Sequence, residues 1–230
     1  MTENETLFGK DLAQLSGLCN ELGMPRFAAR QLARWLYARR TEEPARMSDI
    51  AQRFREALAA RFTPALTPPE RVDLSVDGTK KYLFRTSRGA FIESAYIPDG
   101  ERATLCVSSQ AGCRMGCAFC ATGRQGLIHS LTTAEILNQI VSLPEFERLT
   151  NLVFMGIGEP PDNADNVLRA LDTLTPAWRL AWSPPRLPLS TPLRAPPPPP
   201  LPHPPTLPLA PPPPHPPPPP PPPPRPPSPP

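Results

Sequence analysis

The distribution of proline confines the foldable part of this chain to its first three quarters. Of its 40 prolines, 31 lie between Pro176 and Pro230. Proline fixes φ and donates no backbone hydrogen bond, so residues 196–230 cannot supply helix interiors or central strands. The apolar residues that can build a core lie before about residue 175, and a chain of roughly 175 to 190 residues is long enough for a genuine core.

The proline-rich composition of residues 192–230 predicts a tail that is disordered or forms polyproline II. Two interpretations of it stay open. One is a ligand for proline-recognising modules. The other is sequence that is not genuine coding sequence, which we favour because no PxxP-type motif stands out from a near-homopolymer.

The positive net charge of the chain belongs to its C-terminal part. The whole chain has a net charge of +3, but residues 1–175 contain 20 basic and 21 acidic side chains. RNA contact must therefore rest on a local cluster. Arg26, Arg30 and Arg34 recur at helical spacing, and such a stripe can follow RNA phosphates, although a solvated helix face explains the same spacing equally well.

Cysteine usage and the N-terminus predict a cytoplasmic protein. Three of the five cysteines fall within eight residues, which suits a metal or cluster site better than a disulfide framework. The first residues lack the cationic start and the apolar run of a signal peptide. No stretch approaches the roughly 18 apolar residues of a membrane span, so we expect none.

Hydrophobic periodicity predicts two small N-terminal regions. Residues 1–70 show the spacing of three short helices, with Ser48 as the expected N-cap of the third, and form the candidate RNA-binding module. Residues 71–101 change to alternating apolar and polar positions around an Asp77-Gly78 turn. This pattern predicts a β-meander.

From residue 102 to residue 191, segments with strand and helix patterns alternate. We expect a helix over 133–143, a strand over 151–155 and a helix over about 163–174. This order predicts an α/β fold with a parallel sheet or barrel, whose site lies at the carboxyl ends of the strands.

The strongest motif is a run of three cysteines, Cys113, Cys117 and Cys120, with the spacing C-x3-C-x2-C. Three thiolates on a tight loop can hold three irons of a cubane and leave the fourth open to another ligand. Structural zinc usually needs four ligands in two pairs, and neither Cys106 nor His129 completes a usual zinc spacing. Zinc and three unliganded thiols remain the alternatives.

The cysteine spacing, with Phe119 before the last cysteine, resembles the radical S-adenosylmethionine (SAM) superfamily. The run Met-Gly-Ile-Gly-Glu-Pro at 155–160 is similar to the Gly-Glu motif of that superfamily. The resemblance implies a [4Fe–4S] cluster on the three cysteines and SAM bound at Gly158 and Glu159. It also implies a (β/α)6 partial barrel, of which this chain holds the first half.

Residues 92–98, 102–110 and 112–113 resemble one family more narrowly, the RlmN-type adenine-C2 methyltransferases, over roughly residues 5–191. The resemblance implies 23S ribosomal RNA and transfer RNA as substrates, an electron donor such as flavodoxin, and a monomer. It assigns Cys106 as the thiol that resolves a methyl-cysteine adduct through a transient disulfide, Glu93 as a proton acceptor and Ser190 as a SAM contact.

The same resemblance places the methyl-carrying cysteine far downstream, and no cysteine follows Cys120 in this chain. We therefore expect the chain as written not to complete methyl transfer. Two further hypotheses stay open: methylation of adenine C8 on the same fold, and a non-catalytic iron–sulfur or zinc protein.

Overall fold

The computed structural model describes residues 6–118 and 120–174. Phe119, Ser190 and the tail over 192–230 lie outside the described residues. Within them, every helix is too short or too polar to cross a membrane.

The N-terminal region is a helical module, as its periodicity predicts. Helix α1 (Leu12–Glu21) begins with a capping box between Asp11 and Gln14. Helix α2 (Ala28–Ala33) continues into a π-helical turn, Arg34–Ala38, and a 3₁₀ turn, Pro44–Arg46, follows. Helix α3 (Gln52–Arg61) completes the module.

The expected N-cap at Ser48 is wrong. Helix α3 starts at Gln52 after Ala51, and Ile50 is buried ahead of it. The intervening Asp49 is used in tertiary contacts, because its carboxylate accepts from the Trp35 indole and its carbonyl accepts from Gln31. These contacts with the preceding helix delay the start of α3.

Five strands form one mixed sheet in the order β1-β2-β3-β4-β7. Their bounds are β1 Arg71–Leu74, β2 Lys80–Arg85, β3 Phe91–Asp99, β4 Arg102–Cys106 and β7 Asn151–Val153. The first four strands are antiparallel neighbours, which is the predicted meander, and β4 pairs with β7 in parallel. The parallel pair is the start of the predicted β/α part.

The two faces of this sheet differ in burial. The closed face, which packs in the core, carries the buried residues Tyr82, Phe84, Ile92, Ser94, Tyr96 and Leu105. The open face carries the alternate positions, which include Lys81, Arg85, Phe91, Glu93, Ala95 and Cys106. Directly paired residues share a face, so the open face runs continuously from β2 to β7.

A second, two-stranded sheet was not predicted. Strand β5 (Gln110–Cys113) pairs antiparallel with β6 (Gly126–Ser130), with an irregularity between Ala111 and Gly112, and helix α4 (Ala121–Gln125) lies between them. The two predicted helices follow, as α5 (Thr133–Val141) and α6 (Ala164–Leu174), each within two residues of its expected bounds. Thr132 caps α5 in a capping box with Glu135.

Side-chain contacts connect the helical module with the rest of the fold. Arg40 pairs with Glu147 at 3.5 Å, and its guanidinium lies 4.9 Å from the centre of the Phe146 ring. On the other side of the module, the Asn138 side chain of α5 exchanges hydrogen bonds with the Thr67 backbone. The module and the sheet therefore share one hydrophobic core.

Candidate functional site

The three predicted cluster ligands lie on one loop between β5 and α4. Cys113 is the last residue of β5 and is buried, whereas Cys117 and Cys120 are partly exposed. The amide of Cys120 donates to the carbonyl of Cys117 at 3.1 Å, which closes a tight turn between them. The loop thus presents its three thiols within one short segment.

Glycines allow the loop to fold this tightly. Gly112 has φ of +76°, and a Cβ atom there would lie 2.0 Å from the carbonyl oxygen of Gly126 on β6. Gly123 leaves no room for a side chain either, since its Cβ would lie 3.0 Å from the amide nitrogen of Cys117. Close backbone approach at both positions excludes any larger residue.

The environment of Cys120 favours its thiolate form. Cys120 is the N-terminal cap residue of α4, and the nearby backbone amides of Gly123 and Thr122 lower the pKa of its thiol. Thiolates are the form in which cysteine binds metals. The donor set and its glycine-lined loop therefore fit a metal cluster in chemistry, although among the described residues no three His, Cys, Asp or Glu side chains already converge as a metal site.

The predicted SAM-binding loop after β7 packs directly against β5. The Glu159 amide donates to the Gln110 side-chain oxygen at 2.9 Å. Gly158 has φ of +106°, and a Cβ atom there would lie 2.6 Å from the Cβ of Gln110. Gln110 precedes Cys113 on the same strand, so it joins the cysteine loop to the Gly158-Glu159 loop.

A salt bridge links the same two loops a second time. Arg114, which follows Cys113, lies 2.9 Å from the carboxylate of Asp162, and this carboxylate also accepts from the Gln110 side-chain amide at 2.7 Å. Glu159 is almost fully buried, at 3% exposure. The structure therefore brings together two motifs that are about 40 residues apart in the chain.

Buried polar side chains that the sequence did not single out hold this arrangement in place. Gln139 of α5, fully buried, accepts from the Ser108 amide and donates to the Ser108 carbonyl, both at 2.9 Å. The Asn163 side chain donates to the carbonyls of Ser109 and Leu131. Nothing in the local pattern around Gln139 or Asn163 distinguishes them from ordinary helix residues.

Glu93 and Cys106 lie on the open face of the sheet. Cys106 is paired with Ala95, and Glu93 lies two residues before Ala95 on β3, so the two side chains share a face. The Glu93 carboxylate lies 3.2 Å from the ammonium group of Lys81. Ser108 donates to the Glu93 carbonyl at 2.6 Å, which ties this strand to the end of β4.

The five cysteines are free thiols. Burial raises the pKa of the Cys106 thiol, although a hydrogen bond from the Met155 backbone acts in the opposite direction. His129, on β6, is buried, and neither of its ring nitrogens has a hydrogen-bond partner among the described residues. It completes no metal group there.

Comparisons with known proteins match both parts of the chain. The family described as "Ribosomal RNA large subunit methyltransferase N-terminal domain" matches residues 5–63, and the "Radical SAM superfamily" matches residues 107–186. A "Probable dual-specificity RNA methyltransferase RlmN" of Porphyromonas gingivalis is 51% identical over 193 residues. The chain belongs to the RlmN family of radical SAM proteins.

Other RlmN relatives show a similar identity and a similar covered length. The protein of that name in Phocaeicola vulgatus is 49% identical, and the alignment covers 83% of this chain and 54% of the relative. The corresponding values for the P. gingivalis protein are 83% and 55%. The chain thus spans about half the length of the curated RlmN relatives that it matches.

A solved structure supports the fold. The crystal structure of a radical SAM methyltransferase from Sphaerobacter thermophilus superposes with a TM-score of 0.73 at 35% identity, over 81% of this chain and 56% of that protein. This likeness confirms the predicted α/β class, and it agrees with the predicted partial radical SAM barrel.

The predicted arginine stripe of this RlmN-family chain lies on the surface of the helical module. Arg26, Arg30 and Arg34 are exposed and make no ion pair with any other described residue. The two arginines that follow are used differently. Arg39 stacks 3.9 Å from the centre of the Trp35 ring, and Arg40 makes the contacts with Glu147 and Phe146 described above.

Proposed function

We propose that this chain carries the cluster-binding and SAM-binding residues of a methyltransferase that acts on C2 of adenine in 23S ribosomal RNA and transfer RNA. The observation that carries the proposal is the junction at Gln110, which holds the cysteine loop against the Gly158-Glu159 loop. The names of the relatives, "dual-specificity RNA methyltransferase", support RNA as the substrate class.

In this proposal Cys113, Cys117 and Cys120 hold three irons of a [4Fe–4S] cluster. When bound, this cluster would supply the one-electron chemistry that cleavage of SAM requires. Glu159 offers a buried carboxylate to the SAM ammonium group, and a glycine at position 158 lets the backbone approach the ligand closely. Ser190 is the third SAM contact that we propose.

Glu93 and Cys106 face the substrate side in this proposal. Glu93 is about half exposed and paired with Lys81, and it would accept the proton that leaves adenine C2. Cys106 would be the thiol that helps to resolve the covalent adduct, with a transient disulfide as the end state, as the family resemblance implies.

The other proposed partners are those that the family resemblance implies. We propose that the RNA contacts the Arg26, Arg30 and Arg34 stripe, that a small electron-transfer protein such as flavodoxin reduces the cluster, and that the protein works as a cytoplasmic monomer. The absence of charge partners on the stripe among the described residues leaves its guanidinium groups available for phosphates.

Anaerobic reconstitution of the 230-residue chain with iron and sulfide tests the site. We expect about four irons per chain and a cubane absorption band that changes when SAM is added. The variant Cys117→Ala should lose the cluster, whereas Cys19→Ala, which removes a thiol from the core of the helical module, should keep it. Stoichiometric zinc, or iron without any response to SAM, would contradict the enzyme and favour a binding protein.

In the proposed mechanism, methyl transfer also needs the methyl-carrying cysteine downstream of the cluster ligands. No cysteine follows Cys120 in this chain. We therefore predict that the reconstituted and reduced chain forms no methyladenine in RNA, as measured by mass spectrometry of digested nucleosides. Detection of methylated adenine would overturn this part of the proposal. For a full-length relative, the same measurement separates the C2 product from the alternative C8 product.

A further inference from the structure

A cleft of about 970 Å³ lies between the helical module and the rest of the fold. Six charged side chains line it: Lys10, Glu70, Arg85, Arg88, Glu135 and Arg169. Four are basic and two are acidic, so the cleft has a positive balance of two. The folded part of the chain as a whole has none, with 20 basic and 21 acidic side chains in residues 1–175.

One of the two acidic residues of the cleft, Glu135, already accepts hydrogen bonds with both of its carboxylate oxygens. One oxygen of Glu135 accepts from the amide and hydroxyl of Ser87, and the other accepts from the amide and hydroxyl of Thr132. Burial by itself raises the pKa of Glu135, but these hydrogen bonds outweigh it and lower the pKa. Glu135 therefore holds the Ser87 turn in place and does not pair with the arginines.

Three arginines that line the cleft have side chains without such partners. The side chains of Arg85, Arg88 and Arg169 make no ion pair or hydrogen bond with any described residue. Arg85 and Arg88 are exposed; Arg85 is the last residue of β2, and Arg88 lies in the turn between β2 and β3. Unpaired guanidinium groups around one cleft are a binding surface for phosphate oxygens.

One residue that lines the cleft, Arg85, also belongs to the open face of the sheet. Arg85 is paired with Phe91 across β2 and β3, and Phe91 is 52% exposed. At about 3.3 Å per residue, Glu93 lies about 7 Å from Phe91 along the strand, and Ala95, the partner of Cys106, lies about 13 Å away. A cation beside an exposed aromatic ring is the combination that binds a phosphate and stacks a base in single-stranded nucleic acids.

We propose that this cleft and the Arg85–Phe91 pair form a second RNA-binding site, separate from the arginine stripe, which holds a single-stranded flank of the substrate. Arg85, Arg88 and Arg169 bind its phosphates, and Phe91 stacks on a base where the strand passes onto the open face. The proposal rests on RNA as the substrate, and it specifies the path by which RNA reaches Glu93 and Cys106.

Binding of a fluorescein-labelled, mixed-sequence single-stranded RNA to the 230-residue chain tests this site by anisotropy at several salt concentrations. The double variant Arg85→Ala/Arg88→Ala should weaken binding about tenfold or more at low salt. It should also lower the slope of log K against log salt by about 1.4, because each single-strand phosphate contact contributes roughly 0.7. Phe91→Leu should weaken binding about fivefold or more without changing the slope, because it removes stacking and no charge.

The matched control is Arg53→Ala/Arg102→Ala. It removes two exposed arginines: Arg53 on α3, and Arg102 at the start of β4, which is the strand partner of Asp99 at the end of β3 away from Phe91. Equal losses in the two double variants, or an unchanged salt slope in Arg85→Ala/Arg88→Ala, would overturn the proposal.

A triple variant of the arginine stripe distinguishes two outcomes: that the cleft does not bind RNA, and that the protein does not act on RNA at all. Suppose that Arg26→Ala/Arg30→Ala/Arg34→Ala loses RNA binding and the cleft variant binds fully. The cleft would then not be an RNA-binding site, whereas RNA would remain the proposed substrate. If the unmodified chain does not bind RNA, both the cleft proposal and the proposed RNA substrate are wrong.

Discussion

The side-chain oxygen of Gln110 lies 2.9 Å from the backbone nitrogen of Glu159, and this hydrogen bond joins the cysteine loop to the Gly158-Glu159 loop. The other end of the same side chain donates to Asp162 at 2.7 Å and to Ser130 at 3.2 Å. One buried amide thus fixes the loop of the candidate cluster ligands relative to the loop of the candidate SAM ligands. Its loss should affect stability and ligand binding together.

Replacing Gln110 with alanine should destabilise the fold. The variant leaves the buried Glu159 amide without its acceptor, which costs about 1–3 kcal/mol. Ser130→Ala removes only the long contact to the same side chain and should cost clearly less. Urea denaturation of both variants measures the free energy of unfolding, and equal stability of Gln110→Ala and the unmodified chain would show that Gln110 does not join the loops.

Two glycines of the cysteine loop, Gly112 and Gly116, give a second pair of variants, which differ in the room available for an added Cβ atom. Gly112 and Gly116 both have positive φ, but a Cβ atom at Gly112 meets the Gly126 carbonyl at 2.0 Å, whereas one at Gly116 meets nothing within 4 Å. Gly116→Ala should cost about 1 kcal/mol for the backbone conformation alone. Gly112→Ala should cost more and should lower the iron content after reconstitution, because β6 must move away from β5.

Iron analysis and denaturation of the two variants check this prediction. Similar iron content and similar unfolding free energies in Gly112→Ala and Gly116→Ala would contradict the close packing of β5 and β6 beside the loop.

The outer parts of the fold could be predicted from the sequence, because local patterns determine them. The capping box at Thr132, the alternation in β2 and β3 and the Asp77-Gly78 turn each involve residues close together in the chain. The β5–β6 hairpin was missed for the opposite reason. Gln110–Cys113 is buried throughout and shows no alternation, and its partner strand begins only after the whole cysteine loop.

Candidate ligands were visible in the sequence, but the residues that position them were not. Cysteine spacing alone selected Cys113, Cys117 and Cys120. The role of Gln139 depends on contacts with Ser94 and Ser108, which lie 45 and 31 residues away in the chain. A polar residue in a helix is usually exposed, so only the tertiary structure reveals that Gln139 is fully buried.

The stability of the fold should depend on pH through Glu145. This buried carboxylate accepts hydrogen bonds from Lys80 and Tyr82 on β2. Burial alone raises the pKa of Glu145, but these hydrogen bonds outweigh it and the pKa is lowered. Because the folded pKa lies below the unfolded value of 4.5, the stabilisation is complete above about pH 4.5 and is lost as the pH falls through the folded pKa.

The variant Glu145→Gln should therefore lose about 1.5–3 kcal/mol of stability at pH 7, and the difference should shrink as the pH falls below 4.5. Glu147→Gln is the matched control, because its side chain is 76% exposed and its pair with Arg40 is long, at 3.5 Å. It should change stability little at any pH. A pH-independent loss in Glu145→Gln would show that shape, and not charge, stabilises this contact.

The arginine stripe should contribute to RNA affinity through charge alone. Arg26, Arg30 and Arg34 are exposed and have no ion pair among the described residues, so lysine replacements should preserve most of the binding, whereas alanine replacements should not. Three lost phosphate contacts correspond to a decrease of about 2 in the salt slope for single-stranded RNA. Anisotropy titrations of the triple alanine and triple lysine variants, with circular dichroism to confirm the fold, measure this effect. If the triple alanine variant binds as tightly as the unmodified chain, the stripe is a solvated helix face, and RNA contact must rest on the cleft around Arg85 and Arg88.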